Sequence, residues 1–306
     1  MASLKNIKTK IQSYKKTGTV THAMEAVSAV KMRKAQERAL GTRTYAASAL
    51  TILERLSNTI DLSKHPLLTT REGKLCLIVI TSDKGLAGAL NSGVIKRAED
   101  NIRSSGKAIE EVVIAAIGRR GAEYFAARGY DVRIRRDNMG DDVPEADIHA
   151  VVSAILGWHA TGEVSTCMVA YTNFVSTFEQ EPVVRQLVPI TEEVIASMVK
   201  GIRPAKGKYA PASSAIAVHK SISYSVEPST DTVFAILLPR LLSIAVFHAT
   251  LESKASEHSA RMVAMKSATD KAKDMTKSLT RIFNKVRQAA ITREVSEITS
   301  GMEAMK

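Results

Sequence analysis

From Leu251 to Met275 the chain runs LESKASEHSARMVAMKSATDKAKDM, with neither proline nor glycine. Those are the residues that break helices, so their absence predicts an uninterrupted one. Its stripe is unusually thin. Ala255, Ala260, Ala264, Ala268, Ser256 and Ser259 stand where leucine and isoleucine are usual, with three methionines among them. Leu251, Ala255, His258, Met262, Met265, Thr269 and Ala272 keep a coiled-coil step. After a slip of one position, Met275, Leu279, Ile282, Val286 and Ala289 continue it. The helical segment as a whole reaches from Asp231 to Met305, and Pro239 marks its first turn or a kink.

The other end of the chain has a matching pattern. Residues 3–58 read as one helix with a soft spot at Gly18. Leu4, Ile7, Ile11 and Tyr14 step by three and four, Val20, Met24 and Val27 resume the pattern, and Leu50, Leu53, Leu56 and Ile60 close it before Pro66. Between the two helices the period changes. KLCLIVITS (74–82), EVVIAAIG (111–118), DVRIRR (131–136), STCMVAYTNFVS (165–176) and VVRQLVPI (183–190) read as strands. Helical stretches at Leu86–Ser104, Arg119–Arg128 and Pro144–His159 alternate with them. Such alternation predicts an α/β domain with a mostly parallel sheet and covered faces. The chain thus divides into a helix at 1–60, a sheet domain at 74–215 and a helix at 231–306, with KGIRPAKGKYAPASS (200–214) as a linker or mobile loop.

Lengths then constrain the arrangement. About 70 helical residues span on the order of 100 Å, whereas a domain of about 140 residues is roughly 37 Å across. The terminal helices are therefore expected to project as one antiparallel pair. A first helix of about 55 residues would run out opposite position 287. Near there the apolar stripe changes face, from Phe283, Val286, Ala289 and Ala290 to Ile291, Val295, Ile298, Met302 and Met305. Beyond that point the second helix has apolar surface and no internal partner, which implies a socket in another protein.

Composition narrows the function. The net charge is +12, and residues 1–40 carry nine Lys/Arg against two acids, so an acidic partner is expected. Aromatic content of 5% argues against base stacking on nucleic acid. The polar start MASLKNIKTK is unlike a signal or transit peptide, and no run approaches a membrane span. Cys76 and Cys167 read as two buried thiols without metal-ligand spacing. TSDKGLAGALN (81–91) and IGRRG (117–121) occupy the strand-to-helix turns where phosphate loops occur, yet neither is a complete motif, and Asp83 would oppose a phosphate. Glu257-His258 lacks the second histidine of a zinc helix, and no catalytic constellation emerges.

Five segments then point to a family: SLKNIKTKIQS, THAMEAVSAVKMRKAQ, ITSDKGLAGALN, LESKASEHSARMVAMKSATD and NKVRQAAITREVSEITSG. They resemble the γ subunit of F-type ATP synthase, densely at both ends and at the central strand–turn, and only in general pattern over 130–215. The resemblance implies a long antiparallel coiled coil plus a central Rossmann-like α/β foot domain. It implies a rotor shaft inside a ring of three α and three β subunits, with the foot on the ε subunit and the membrane c-ring. Catalytic residues and nucleotide would belong to β, so no cofactor and no catalytic residue are expected in this chain. By match to the family, Met24, Arg261, Arg287, Gln288, Thr292 and Glu294 would be rotor–stator contacts, and Lys31, Arg33, Lys34, Lys84 and Leu90 would meet the acidic lever loop of β. Ala87, Ala89, His22, Arg293 and Val295 depart from the family's usual residues, and the cysteine-bearing insertion of chloroplast relatives is missing. A bacterial plasma-membrane complex follows as the expected location. The alternatives are a basic coiled-coil nucleic-acid-binding or scaffold protein, and a nucleotide-dependent α/β enzyme. Neither accounts for the apolar tip.

A thin stripe suits such a shaft. It must turn past three similar surfaces without locking onto one, and alanine, serine and methionine lower and soften the ridges.

Overall fold

The most apolar runs of the middle segment, KLCLIVI and VVIAAI, become adjacent central strands of a five-stranded sheet. The computed structural model describes residues 4–57, 72–190, 194 and 230–305. In chain order the elements are α1 (Leu4–Ser57), β1 (Lys74–Ile80), α2 (Leu90–Ser104), β2 (Val112–Ile117), α3 (Arg119–Ala127), β3 (Asp131–Arg136), α4 (Glu145–Ala160), β4 (Val164–Phe174), β5 (Gln180–Val188) and α5 (Thr230–Glu303). The proposed linker at 200–214, Ile60 and the stop at Pro66 lie outside the described residues, as do the side chains of Leu50, Leu53 and Leu56. Two units result, one of residues 1–28 with 261–306 and one of residues 29–260.

In the larger unit the strand order is β3-β2-β1-β4-β5, with parallel pairing except for antiparallel β5. β1 and β2 are covered on both faces, which is why they are continuous hydrophobic runs rather than alternating ones. Leu75, Leu77 and Val79 face a layer formed by Val94, Ala98 and Ile102 of α2 and Phe125 of α3. Cys76, Ile78 and Ile80 face the other layer, Ile148, Val152 and Ile155 of α4 and Leu238, Leu242 and Val246 of α5. Cys76 and Cys167, distant in sequence, are register partners on β1 and β4, both free and buried. A hydrogen bond with Cys76, together with burial, pushes the Cys167 thiol up, so it stays protonated and unreactive.

Two expectations are corrected here. α2 starts at Leu90 rather than Leu86, because Leu86 (φ 64°) and Gly88 (φ 58°) take left-handed backbone that cannot continue a helix. A stretch of α5 also contains a window long and apolar enough, by composition, to cross a membrane. Half of that window is buried within the protein, and its Leu238, Leu241 and Leu242 sit in the sheet core.

The smaller unit pairs the first part of α1 with the last part of α5. Thr21 Oγ1 lies 2.7 Å from Thr269 Oγ1, and a Cβ on Gly18 would stand 3.5 Å from the Ala272 Cβ. These contacts fix an antiparallel register. The seam of α1 runs through Ile7, Gly18, Thr21 and Ser28, while Val20 and Val27 are 57% and 55% exposed. On α5 the step continues unbroken through Thr269, Ala272, Thr276, Leu279, Phe283 and Val286, so the one-position slip does not occur. The physical reason is shared. Thr21, Ser28, Thr269 and Thr276 each donate to a carbonyl one turn back in their own helix, so a hydroxyl can enter the seam already satisfied.

Candidate functional site

The strand-to-helix crevice is the first place to test for chemistry in a parallel sheet. At the turn from β2 into α3 the chain occupies that place with its own side chains. Asp83 Oδ1 accepts the Arg119 N–H at 2.9 Å, and Thr81 Oγ1 accepts the Gly121 N–H at 2.8 Å. Arg119 Nη2 also donates to the Asp83 carbonyl at 3.1 Å. The N–H groups at the start of α3 that would hold a phosphate are therefore taken by β1-side oxygens. Gly118 (φ 103°) completes the closure, since a Cβ there would lie 2.0 Å from the Thr81 carbonyl oxygen. Among the described residues no cluster of three or more His, Cys, Asp or Glu could hold a metal ion.

The end of α5 is the opposite case. The Gly18–Ala272 and Thr21–Thr269 contacts bring Leu4, where α1 begins, opposite Val286. Past Val286, Ile291, Val295, Ile298 and Met302 are more than half exposed and Met305 is 91% exposed. Arg287, Gln288, Thr292 and Glu294 lie on this same stretch, all exposed. Gln288 and Thr292 are one turn apart, as are Arg287 and Ile291, so polar groups and apolar side chains share adjoining rows. Met24 is half-buried, and Arg261 is nearly buried and engaged within the chain. The exposed tip thus groups four of the six rotor–stator residues, while Met24 is half-buried and Arg261 buried elsewhere on the helices.

The basic stretch of α1 is divided. Lys31 Nζ is 2.8 Å from Asp141 Oδ2, so it is committed to the protein's own loop, whereas Arg33 and Lys34 are exposed. Lys84 is exposed on the β1–α2 turn, but Leu90 is buried at the start of α2. The apolar side chain that this turn presents is Leu86, 64% exposed. Sequence reasoning overlooked it by assigning it to the helix; its place between Gly85 and Gly88 was the available signal of a turn.

Residues 3–305 match the family model described as ATP synthase. Over 306 residues, all of both chains, the protein is 38% identical to the ATP synthase gamma chain of Psychrobacter sp. (strain PRwf-1). The chain belongs to the ATP synthase gamma-chain family. The gamma chain of Pelotomaculum thermopropionicum is 36% identical over 307 residues, again with full coverage of both. Solved structures repeat the fold at lower identity. A chain of the Euglena gracilis mitochondrial ATP synthase (OSCP/F1/c-ring) matches with a TM-score of 0.63 and 16% identity, covering 99% of this chain and 94% of that one. A chain of the Tetrahymena thermophila mitochondrial ATP synthase central stalk/c-ring matches at 0.56 and 20% identity, covering 81% and 99%.

Proposed function

We propose that this protein is the rotating central shaft of an F-type ATP synthase, coupling ion flow through the membrane sector to ATP synthesis or hydrolysis on three β subunits. The observation that carries this reading is the apolar end of α5, which passes the start of α1 at Val286 and leaves Ile291 to Met305 predominantly exposed among the described residues. Full-length similarity to proteins named gamma chain supports it. The partners are the α3β3 ring around the tip, and the ε subunit and c-ring at the sheet domain. The chain is non-catalytic in this reading. It has no membrane span of its own and attaches peripherally, on the cytoplasmic face of a bacterial plasma membrane.

In this mechanism the shaft works by differential contact. A β subunit changes state only if the shaft binds its alternative conformations with different free energies. Arg287, Gln288, Thr292 and Glu294 supply the polar handles at the tip. Arg33, Lys34 and Lys84 face the acidic lever loop of β, with Leu86 rather than Leu90 as the apolar contact. Arg261 offers a partner loop little side-chain surface, Met24 offers part of its own, and Lys31, though exposed, is paired with the chain's own Asp141.

The test is co-expression with tagged β and with α, followed by native mass spectrometry. Three α and three β per copy of this chain are expected, with ATPase activity lost when residues 287–306 are removed. Recovery of the chain alone, or with nucleic acid and without α and β, overturns the rotor reading.

A further inference from the structure

The loop between β3 and α4, DNMGDDV (137–143), is fixed by the structure at several points. Arg135 pairs with Asp137, Asn138 takes a left-handed φ of 56°, and Met139 and Val143 are buried in the sheet core. So anchored, the loop holds one carboxylate between two helices. Asp141 Oδ2 accepts from Lys31 Nζ of α1 at 2.8 Å, and Asp141 Oδ1 accepts from His258 Nε2 of α5 at 2.8 Å. The loop backbone repeats the arrangement. The Asp141 carbonyl accepts from Arg38 Nη1 of α1 at 2.8 Å, and the Met139 carbonyl accepts from Lys254 Nζ of α5 at 2.8 Å. Arg38 also pairs with Asp142.

Among the described side chains the two helices are otherwise held very differently. α5 buries Leu238, Leu241, Leu242, Val246 and Leu251 in the sheet core. In this unit, among the described side chains, the buried apolar residues of α1 are Ala35 and Ala39. Alanine methyl contacts are weak and have no preferred direction, so these two contribute little resistance to sliding along the described part of α1. Charge-assisted hydrogen bonds are directional and stronger. An exposed ion pair alone would contribute little, but this one is set on an anchored loop and its His258 partner is only 5% exposed.

We propose that Asp141 is the pin that keys α1 to the sheet domain and to α5, so that turning force entering at the sheet reaches both helices together. Asp141 is a positioning residue, acting through Lys31, Arg38 and His258 and touching neither nucleotide nor ion. The proposal rests on the rotor reading above. It also explains why Lys31, within a basic run suited to a partner, is turned to an internal carboxylate.

The experiment uses the assembled complex in inverted membrane vesicles, comparing wild type, Asp141→Asn, Asp141→Glu and Arg38→Gln. Ion transport per ATP hydrolysed is measured under an opposing ion gradient, and hydrolysis is measured again after an ionophore removes that load. For Asp141→Asn we expect normal subunit stoichiometry and unloaded hydrolysis, with transport per ATP under load falling roughly threefold or more from loss of a charge-assisted bond. Asp141→Glu restores most of it. Arg38→Gln, which leaves the Asp141–His258 contact in place, gives a smaller loss of the same kind and serves if Asp141→Asn does not assemble. Wild-type coupling under load in an assembled Asp141→Asn complex, or in Arg38→Gln where the former does not assemble, overturns the pin. An equal loss with and without load also overturns it, by assigning the residue a purely structural role. Failure of the wild-type chain to assemble with α and β overturns the rotor reading instead.

Discussion

Asp83 shows how one side chain can close a ligand site. Its carboxylate accepts the Arg119 N–H and so caps α3 from a neighbouring loop. Asp83→Ala is expected to cost about 1 kcal/mol of stability, as other lost caps do, measured by urea unfolding of the isolated chain. Gly118 is less forgiving. A side chain there needs φ 103° and meets the Thr81 carbonyl. Gly118→Ala should cost more than about 2 kcal/mol, and a midpoint unchanged from wild type would refute that geometry. Asp141 carries the residue-scale pH dependence. Burial raises its pKa, but hydrogen bonds from Lys31 and His258 together outweigh this and hold it below the ordinary aspartate range. A carboxyl with a lowered folded-state pKa contributes stability above its unfolded value, near pH 4, and loses it as pH falls through the folded value. The stability difference between wild type and Asp141→Asn should therefore be present at pH 6 and shrink steadily below about pH 4.

At the scale of an element, the seam between α1 and α5 is built from residues that a hydrophobicity pattern passes over. Val20 and Val27 are more apolar than Thr21 and Ser28, so the pattern favours the valines, yet they face away from the seam. The choice is made by the facing helix, which comes close enough at Gly18 that a methyl group there would just meet the Ala272 Cβ at 3.5 Å. Gly18→Ala should therefore be accepted, and should stabilise the pair by roughly 0.5–1 kcal/mol through helix propensity. Gly18→Pro should break the helix at the seam and cost about 3 kcal/mol or more. Thermal unfolding followed by helical circular dichroism separates the two, and a destabilised Gly18→Ala would mean that the helices approach more closely than described. Lys31 shows the same limit in another form. Its place in a basic run was visible in MRKAQ, but the carboxylate it meets comes from a loop over a hundred residues away.

At the scale of the whole molecule, removing residues 287–306 should leave the melting temperature of the isolated chain nearly unchanged, because the tip side chains are predominantly exposed. The same truncation should abolish productive assembly with α and β, so calorimetry and activity should part company. The fold class was legible in sequence because periodicity is local. Helix spacing at both ends, apolar strand runs between them and glycine at the turns are all set by neighbours within a few residues. The unpartnered tip was legible too, since it follows from lengths and from a stripe that changes face. What only the tertiary structure decided was pairing across distance: the seam through Gly18 and Thr21, the meeting of Cys76 with Cys167, the burial of Leu90 and Arg261, and the capture of Lys31 by Asp141. A sequence states what each residue can offer. Which offer is taken depends on how close another part of the chain comes and on whether its polar groups are already satisfied, and both are properties of the assembled fold.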